Sequence, residues 1–341
     1  MALHCRLLIP DLLWREGMDT CRGLPLPALT ALLARGTALS SVGITPEAWL
    51  CQSFGVARQS DWPVAPLTLT LDGGTAGSHY WLRADPVHLH LLRDRMVLAD
   101  SGTFPVSQQE AVQFTETLNR HFQKDGMIFY PLHPARWYLR LDAPPQIATA
   151  GLSEVAGRNI RSFLPHGEQA VRWHGLFNEI QMLLHHHPAN EAREARGELP
   201  VNSVWLWGGG TAPQVTKRPY SHVWANDALA QALARTSGAA CAALLQQATE
   251  WLAAARDGDH LIVLDSLRGA AQYRDTQGYG ESLAELERAW FAPLKAALRN
   301  GRIASLALVA LDESGVHTFT VRRGNLWKLW RRNPLLKAAH A

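Results

Sequence analysis

The densest run of residues capable of chemistry lies at positions 185–210, which read HHHPANEAREARGELPVNSVWLWGGG. Adjacent histidines suggest a metal site, and arginines followed by a glycine run suggest a phosphate site. Consecutive helical residues point about 100° apart, so His185, His186 and His187 cannot converge on one metal ion. Their position is typical of a helix C-terminus, after which Pro188 ends the helix. The glycines lack the spacing of GxGxxG and of GxxxxGK[ST], which excludes both nucleotide-binding motifs.

Composition narrows the class of protein. The chain has 341 residues, 47% of them hydrophobic, and a net charge of +3, which is too small to indicate nucleic-acid binding by charge. The N-terminal apolar run is too short for a signal peptide, and no stretch reaches the roughly 18 apolar residues of a membrane span. The cysteines show no metal-binding spacing and are expected to be reduced thiols, which predicts a cytoplasmic protein; they are Cys5, Cys21, Cys51 and Cys241.

Apolar strands alternate with amphipathic helices, which predicts an α/β fold with a largely parallel sheet. VNSVWLWGG is interpreted as one strand of that sheet, PLTLTLD at 66–72 as a strand within a linker, and 225–258 as one long helix. A strand–strand–helix–strand pattern over 80–142 predicts a small inserted α+β domain, which leaves 1–79 and 143–341 as the α/β core. Ligands of such sheets bind at the carboxyl ends of strands, which directs attention to four places: Asp11, Trp207–Gly210, Asp265–Gly269 and Asp312.

Residues 185–213 resemble a block of the archaeal-type, cofactor-independent phosphoglycerate mutases. That block reads H-P-x-N-x-x-R, then G-x-P-x-N, an apolar strand and G-x-G-x-x-P. It is supplied here by Pro188, Asn190, Arg193, Gly197, Pro200, Asn202, Gly208, Gly210 and Pro213. Further similar segments follow the family order, among them LLIPDLL, EAWLCQSFGV and LALVALDES. The resemblance implies an alkaline-phosphatase-like fold, with a mostly parallel sheet flanked by helices and the small inserted α+β domain. It also implies two metal ions and a serine nucleophile.

The resemblance assigns roles to individual residues. Asp11 and Asp312 stand at metal-ligand positions, as remnants of the metal site, and Thr45 stands near the nucleophile position. The residues predicted to bind substrate are Arg136, Arg193, Asn202, Gly208 and Gly210. Two other interpretations remain open. Thr45 before Pro46 also fits the start of a helix, and Asp265 and Arg268 could simply pair across a loop.

The sequence departs from the family where the chemistry is done. A two-metal centre needs about six Asp and His ligands, which lower the nucleophile's pKa and hold the reacting oxygens. TPEAWL stands in place of S-D-T-A-H-L, so Pro46 falls near an expected aspartate. GAAQYRD stands in place of G-H-x-x-D, with Gly269 and Tyr273 at ligand positions. The family's Asp-His pair is Asp312 followed by Glu313. The sequence therefore predicts a largely degenerate metal site.

Three hypotheses follow. The first is a non-catalytic or regulatory protein without a cofactor, similar to the bacterial "regulatory protein, RpfE type", which binds a protein partner or a small phosphorylated or anionic ligand in the cleft between the predicted domains. The second is an active metal-dependent phosphoglycerate mutase, phosphotransferase or phosphatase that uses Thr45 with Mn, Zn or Mg. The third is a binding module that acts through the basic C-terminal tail at 321–341. In that tail tryptophans alternate with basic residues, namely Arg322, Arg323, Trp327, Lys328, Trp330, Arg331, Arg332 and Lys337.

Overall fold

The structure is a computed structural model that describes residues 2–92, 95–312, 314–328 and 330–331. Glu313, the second acid of the predicted late ligand pair, lies outside the described residues. So do Arg332 and Lys337 of the basic tail.

The described strands are β1 (Leu3–Pro10), β2 (Thr37–Ser41), β3 (Tyr80–Leu92), β4 (Arg95–Asp100), β5 (Met127–His133), β6 (Arg136–Leu141), β7 (Ser203–Gly210), β8 (His222–Trp224), β9 (Ala240–Ala242), β10 (Gly258–Val263), β11 (Ser305–Asp312) and β12 (Gly315–Arg322).

The described α-helices are α1 (Arg15–Thr20), α2 (Pro27–Arg35), α3 (Pro46–Ser53), α4 (Val64–Leu71), α5 (Gln108–Phe122), α6 (Leu152–Val155), α7 (Ala170–His185), α8 (Pro188–Ala195), α9 (Ala228–Ser237), α10 (Ala248–Ala254), α11 (Ser266–Gln272), α12 (Thr276–Leu286) and α13 (Ala292–Arg299). A π-helical turn, Glu287–Phe291, joins α12 to α13.

The chain divides into two compact units, and the first contains Met1–Phe54 and Thr216–Ala341. Its sheet has the strand order β2-β12-β11-β1-β10-β8-β9. The five strands from β11 to β9 run parallel, whereas β12 and β2 are antiparallel to their neighbours. Leu7, Leu8 and Ile9 of β1 are fully buried, as expected of a parallel strand covered by helices on both faces.

The second unit, Gly55–Val215, contains an antiparallel sheet with the order β4-β3-β6-β5. The fifth strand of this sheet is β7, which also pairs with β3, from Val87↔Ser203 to Trp81↔Gly210. Helix α5 begins after the N-cap Ser107, which forms a capping box with Glu110. The predicted α/β class, a mostly parallel sheet flanked by helices together with a separate antiparallel sheet, is confirmed.

Segment 66–72 forms part of helix α4, so the prediction of a strand there is wrong. Alternating Leu and Thr indicate a strand when one face meets solvent, but six of the eight residues of this helix are buried. The Thr68 hydroxyl donates a hydrogen bond to the Val64 carbonyl oxygen at 2.9 Å, so this buried polar group has its partner within the helix.

The long helix predicted over 225–258 is also wrong, because the segment forms α9, β9 and α10. Gly238 adopts a left-handed conformation with φ 74° and ends α9 with hydrogen bonds back to Ala234 and Arg235. Strand β9 then pairs with β8. The alanine-rich composition favours a helix, but the glycine stop and the pairing with the sheet override that preference.

Strand β7 was expected in the parallel sheet and instead belongs to the antiparallel one. All eight of its residues are buried. A continuously apolar strand fits either kind of sheet, so its sequence does not reveal its neighbours. Because β7 belongs to the antiparallel sheet, and α4 and α7 pack on that sheet, the compact unit Gly55–Val215 is larger than the predicted insertion at 80–142.

Glu287 links the π-helical turn to the start of α2. The Ala28 N–H donates to Glu287 Oε1 at 2.6 Å, and the Leu29 N–H donates to Oε2 at 2.9 Å. The carboxylate is 7% exposed and so satisfies two buried helix N-terminal groups.

Glu287→Ala should lower the free energy of unfolding by about 1–3 kcal/mol, because both N–H groups lose a buried partner. The matched control is Glu285→Ala, which removes a carboxylate that pairs with Arg288 on the surface and should have little effect. Urea unfolding followed by tryptophan fluorescence measures both variants. Equal losses in the two variants would contradict the capping role.

Candidate functional site: the carboxyl ends of the parallel strands

Four adjacent strands of the parallel sheet each deliver an aspartate at the carboxyl edge. Asp312 is the last residue of β11, and the other three lie within three residues of the ends of β1, β10 and β8. These four residues, Asp11, Asp227, Asp265 and Asp312, are called the strand-end acids. Because parallel strands end at one edge, the fold gathers carboxylates where ligands of α/β sheets bind.

Arg268 of α11 lies among these acids. Its Nη2 atom donates to Glu47 Oε1 of α3 at 3.1 Å. Burial lowers the pKa of Arg268, but the nearby carboxylates of Glu47, Asp227 and Asp11 outweigh that effect and raise it overall. The side chains of Arg268 and Glu47 are 23% and 12% exposed, so the ion pair is largely removed from solvent.

The surroundings of Asp227 disfavour its charged form. Burial raises its pKa, and Glu47 and Asp265 raise it further, whereas Arg268 lowers it. Its Oδ1 atom accepts the Ala230 N–H at 2.8 Å, which makes it the N-cap of α9. Asp227 was not singled out from the sequence, neither as a helix cap nor for its place among the strand-end acids.

Asp11 follows β1 directly and adopts a left-handed conformation with φ 61°. Its N–H donates to the Leu311 carbonyl oxygen at 2.7 Å. The Tyr279 hydroxyl donates to the carbonyl oxygens of Asp11 and Leu12. The backbone of the predicted metal ligand is therefore tied to both β11 and α12.

Thr45 is the N-cap of α3. Its Oγ1 atom accepts the Ala48 N–H at 3.2 Å, Pro46 is the first helical residue, and Glu47 lies in the first turn. The interpretation of this segment as a helix start is confirmed. A role for Thr45 as a nucleophile stays a prediction.

Asp312 shapes the turn between β11 and β12. Its Oδ1 atom accepts the Ser314 N–H at 2.7 Å and also the Ser314 hydroxyl. Ser314 in turn contacts His317 Nε2 at 3.0 Å, and Ser40 lies on the other side of that ring. Oδ2 is buried and has no hydrogen-bond partner within the described part of the chain.

These residues do not fit the two-metal centre that the family resemblance implies. Within the described ranges, no group of three or more His, Cys, Asp or Glu side chains is arranged to hold a metal ion. A guanidinium, which has five donors and no acceptor, lies among the carboxylates instead. Arg268 pairs with Glu47, which precedes it by 221 residues, rather than across its own loop with Asp265.

The residues predicted to bind substrate lie in the other compact unit. Arg193 is fully buried and donates to the Leu199 carbonyl oxygen at 2.8 Å, to the Pro105 carbonyl oxygen at 2.9 Å and to Glu110 Oε1 at 3.1 Å. These partners tie α8, α5 and the adjoining loops together. These contacts hold the fold together, and a role for Arg193 in substrate binding stays a prediction.

Arg136 of β6 forms a two-pronged ion pair with Asp72 at the end of α4. Nε donates to Oδ2 at 2.8 Å and Nη2 to Oδ1 at 2.5 Å, and the Tyr138 hydroxyl also donates to Oδ2. Although burial raises the pKa of Asp72, these hydrogen bonds lower it overall. The Arg136 side chain remains 24% exposed, and its role in substrate binding stays a prediction.

Asn202 and the glycines support the antiparallel sheet. Asn202 accepts the Leu89 N–H at 2.7 Å and donates to the Leu89 carbonyl oxygen at 2.9 Å. Gly208 has φ 65°, and a Cβ at Gly210 would lie 2.6 Å from Pro63 Cβ. The glycines thus allow α4 to approach β7 closely, and their role in ligand binding stays a prediction.

The comparisons with known proteins point to one enzyme family by sequence. No family model matches the chain. A probable 2,3-bisphosphoglycerate-independent phosphoglycerate mutase of Geobacter sulfurreducens is 28% identical over 157 residues, 45% of this chain and 38% of that protein. The corresponding mutase of Methanosarcina barkeri is 29% identical over 123 residues, 35% of this chain and 30% of that protein. The aligned regions therefore span less than half of these relatives. They support the resemblance to phosphoglycerate mutases.

The fold is shared with a solved structure. The PH0037 protein from Pyrococcus horikoshii superposes with a TM-score of 0.61 at 12% identity, over 99% of this chain and 92% of that chain. At that identity the match shows the fold alone. Within the described residues, no helix is long and apolar enough to cross a membrane.

Arg193→Met should lower the free energy of unfolding by about 3–5 kcal/mol, because it leaves Glu110 and two carbonyl groups without a buried partner. Arg196→Met is the matched control, since Arg196 donates to the same Glu110 Oε1 atom but is 49% exposed. It should unfold at the wild-type urea concentration. If Arg193→Met keeps its stability and loses affinity for an anion, Arg193 binds ligand instead.

Proposed function

We propose that this chain is a phosphoglycerate-mutase-like protein with a degenerate two-metal site, which acts by binding, in a regulatory role, and not by catalysis. The donor set at the strand ends carries this proposal. Thr45 caps a helix, Asp312 bonds within a hairpin turn, and Gly269 and Tyr273 stand at two positions where the family resemblance expects ligands. A centre that activates a hydroxyl needs metal ligands beside it.

The ligand class in this proposal is a small phosphorylated or anionic molecule. Of the two arginines predicted to bind it, Arg136 is 24% exposed and Arg193 is 0% exposed at the side chain, so Arg136 is the better candidate. A guanidinium suits carboxylate and phosphate groups because its donors form a planar fork. In this proposal strand β7 forms part of the binding site. Its position is fixed by Asn202, Gly208 and Gly210. A cytoplasmic location also belongs to the proposal and agrees with the free thiols of the four cysteines.

The purified protein should not interconvert 2- and 3-phosphoglycerate when Mn²⁺, Zn²⁺ or Mg²⁺ is supplied. It should not hydrolyse a phosphomonoester under those conditions either. The decisive variant is Thr45→Asn, because Asn keeps the helix cap but has no hydroxyl that could take up a phosphoryl group. Thr45→Ser is the control that keeps both properties. Coupled-enzyme and phosphate-release assays measure all three proteins.

One pattern would overturn the proposal and favour the active enzyme. Wild type and Thr45→Ser would be active with a divalent metal ion, and Thr45→Asn would be inactive although it unfolds at the wild-type temperature. Activity that is unchanged in Thr45→Asn would exclude Thr45 as the nucleophile, and it would also overturn the proposal if it stays with the protein through a second, independent purification step.

The basic tail supports a second candidate function, binding to a phosphate-bearing surface. Trp327 and Trp330 are 72% and 77% exposed. They alternate with basic residues, a combination that suits membrane surfaces and single-stranded nucleic acids. The exposure of both indoles is the observation that favours this candidate.

Trp327→Ser/Trp330→Ser should weaken co-sedimentation with vesicles of mixed neutral and anionic lipid, if this second function holds. Substitution is preferable to truncation at residue 322, because Arg322 ends β12 and Leu326 is buried. Val171→Ser is the control for loss of an exposed apolar side chain elsewhere. Equal sedimentation of all the variants would exclude the tail as the binding element, and single-stranded DNA in the same assay tests the other surface.

A further inference from the structure

We propose that Arg268 supplies, from within the protein, the positive charge that a bound divalent metal ion would supply to the carboxylates at the strand ends. The side chain thus takes the electrostatic place of a metal ion and makes the folded state independent of one. Only the carboxyl edge of the parallel sheet is involved, and this role of Arg268 does not depend on which ligand the protein binds.

The need for a positive charge follows from the topology. The strand order β11-β1-β10-β8 brings the four strand-end acids to one edge, and Glu47 adds a fifth carboxylate from α3. Like charges repel strongly where water is scarce. Glu47 and Asp265 both raise the pKa of Asp227, so the repulsion among these carboxylates acts on a half-buried group.

The geometry of Arg268 meets that need. Its Nη2 atom lies 3.1 Å from Glu47 Oε1, and Asp227 and Asp11 are close enough to raise the pKa of the guanidinium. An arginine stays protonated throughout the physiological range, so its charge is permanent. A divalent cation placed among the same carboxylates would be repelled by that charge and would compete with it for Glu47.

An ordinary surface ion pair does not account for this arrangement. Surface pairs contribute little because water screens them, whereas the side chains of Arg268 and Glu47 are 23% and 12% exposed. The guanidinium also interacts with acids from three separate elements: the ends of β1 and β8 and the first turn of α3. Its loss would therefore remove a positive charge from the neighbourhood of several carboxylates at once.

The experiment compares the thermal unfolding of wild type and Arg268→Ala, each in EDTA and in millimolar Mn²⁺. Wild type should unfold at one temperature in both solutions. Arg268→Ala should unfold several degrees lower in EDTA and regain most of that loss in Mn²⁺, because the metal ion now supplies the missing charge. Calorimetric titration should detect Mn²⁺ binding to Arg268→Ala and not to wild type.

The control removes the acids as well as the base. Glu47→Gln/Asp227→Asn/Arg268→Ala lacks charges of both signs, and Asn at 227 keeps the cap of α9. It should be more stable in EDTA than Arg268→Ala and should not respond to Mn²⁺. This separates lost charge balance from lost packing of the arginine stem.

Three results would overturn the inference. Wild type could be stabilised by Mn²⁺ as much as Arg268→Ala; Arg268→Ala could fail to respond to Mn²⁺; or the triple variant could respond as the single variant does. If Arg268→Ala yields no folded protein, its refolding yield is compared with and without Mn²⁺, alongside the triple variant. Recovery by Mn²⁺ or by removal of the acids would support the inference, and recovery by neither would overturn it.

Discussion

The convergence of carboxylates at the carboxyl edge of the parallel sheet is the constraint to which the surrounding residues respond. Four neighbouring strands end in aspartates, and their order in the sheet leaves no freedom to separate them. The chain meets this constraint in two ways. It commits Asp227 and Asp312 to hydrogen bonds with nearby backbone N–H groups, and it brings Arg268 to Glu47 from a helix that follows β10. Hydrogen bonds and an opposite charge both stabilise carboxylates that lie close together.

In the compact unit Gly55–Val215 the signs are reversed. There the buried charges are arginines, and carboxylates are the groups that balance them. Both Nε and Nη2 of Arg83 donate to Asp85 Oδ1, and its guanidinium lies 5.5 Å and 5.3 Å from the ring centroids of Tyr138 and Trp207. Arg193 has Glu110 as its acid partner, and Arg136 has Asp72. Each of these arginines also has an aromatic or backbone partner, so a residue type associated with anion binding serves here to join strands and helices.

These two features occur in a chain whose sequence is similar to phosphoglycerate mutases over part of its length, and in both units the buried charges named above pair with one another. Function by binding is consistent with this state, because a partly exposed arginine side chain such as Arg136 and an exposed pair of indoles can recognise a ligand without activating it. Catalysis needs groups held ready for the reacting atoms. The Thr45 hydroxyl caps helix α3, and Asp312 is hydrogen-bonded within the turn between β11 and β12.

The sequence alone determined the features that are local. The alternation of strands and helices gave the α/β class, Ser107 with Glu110 marked the start of α5, and Thr45 with Pro46 marked the start of α3. An N-cap is recognisable because its residue types act on N–H groups only a few positions away. Three of the four strand-end acids, Asp11, Asp265 and Asp312, were also visible from the sequence, since each follows an apolar run, whereas Asp227 was not.

Only the tertiary structure decided which distant groups meet. The partner of Arg268 lies 221 residues away, and nothing in its own loop distinguishes Glu47 from Asp265 as that partner. The pairing of β7 with β3, and the helix at 66–72 in place of a strand, depended in the same way on what covers each face. Sequence periodicity shows which side chains are apolar. Packing between segments remote in sequence decides which faces are buried, which strands pair and which residues form ion pairs.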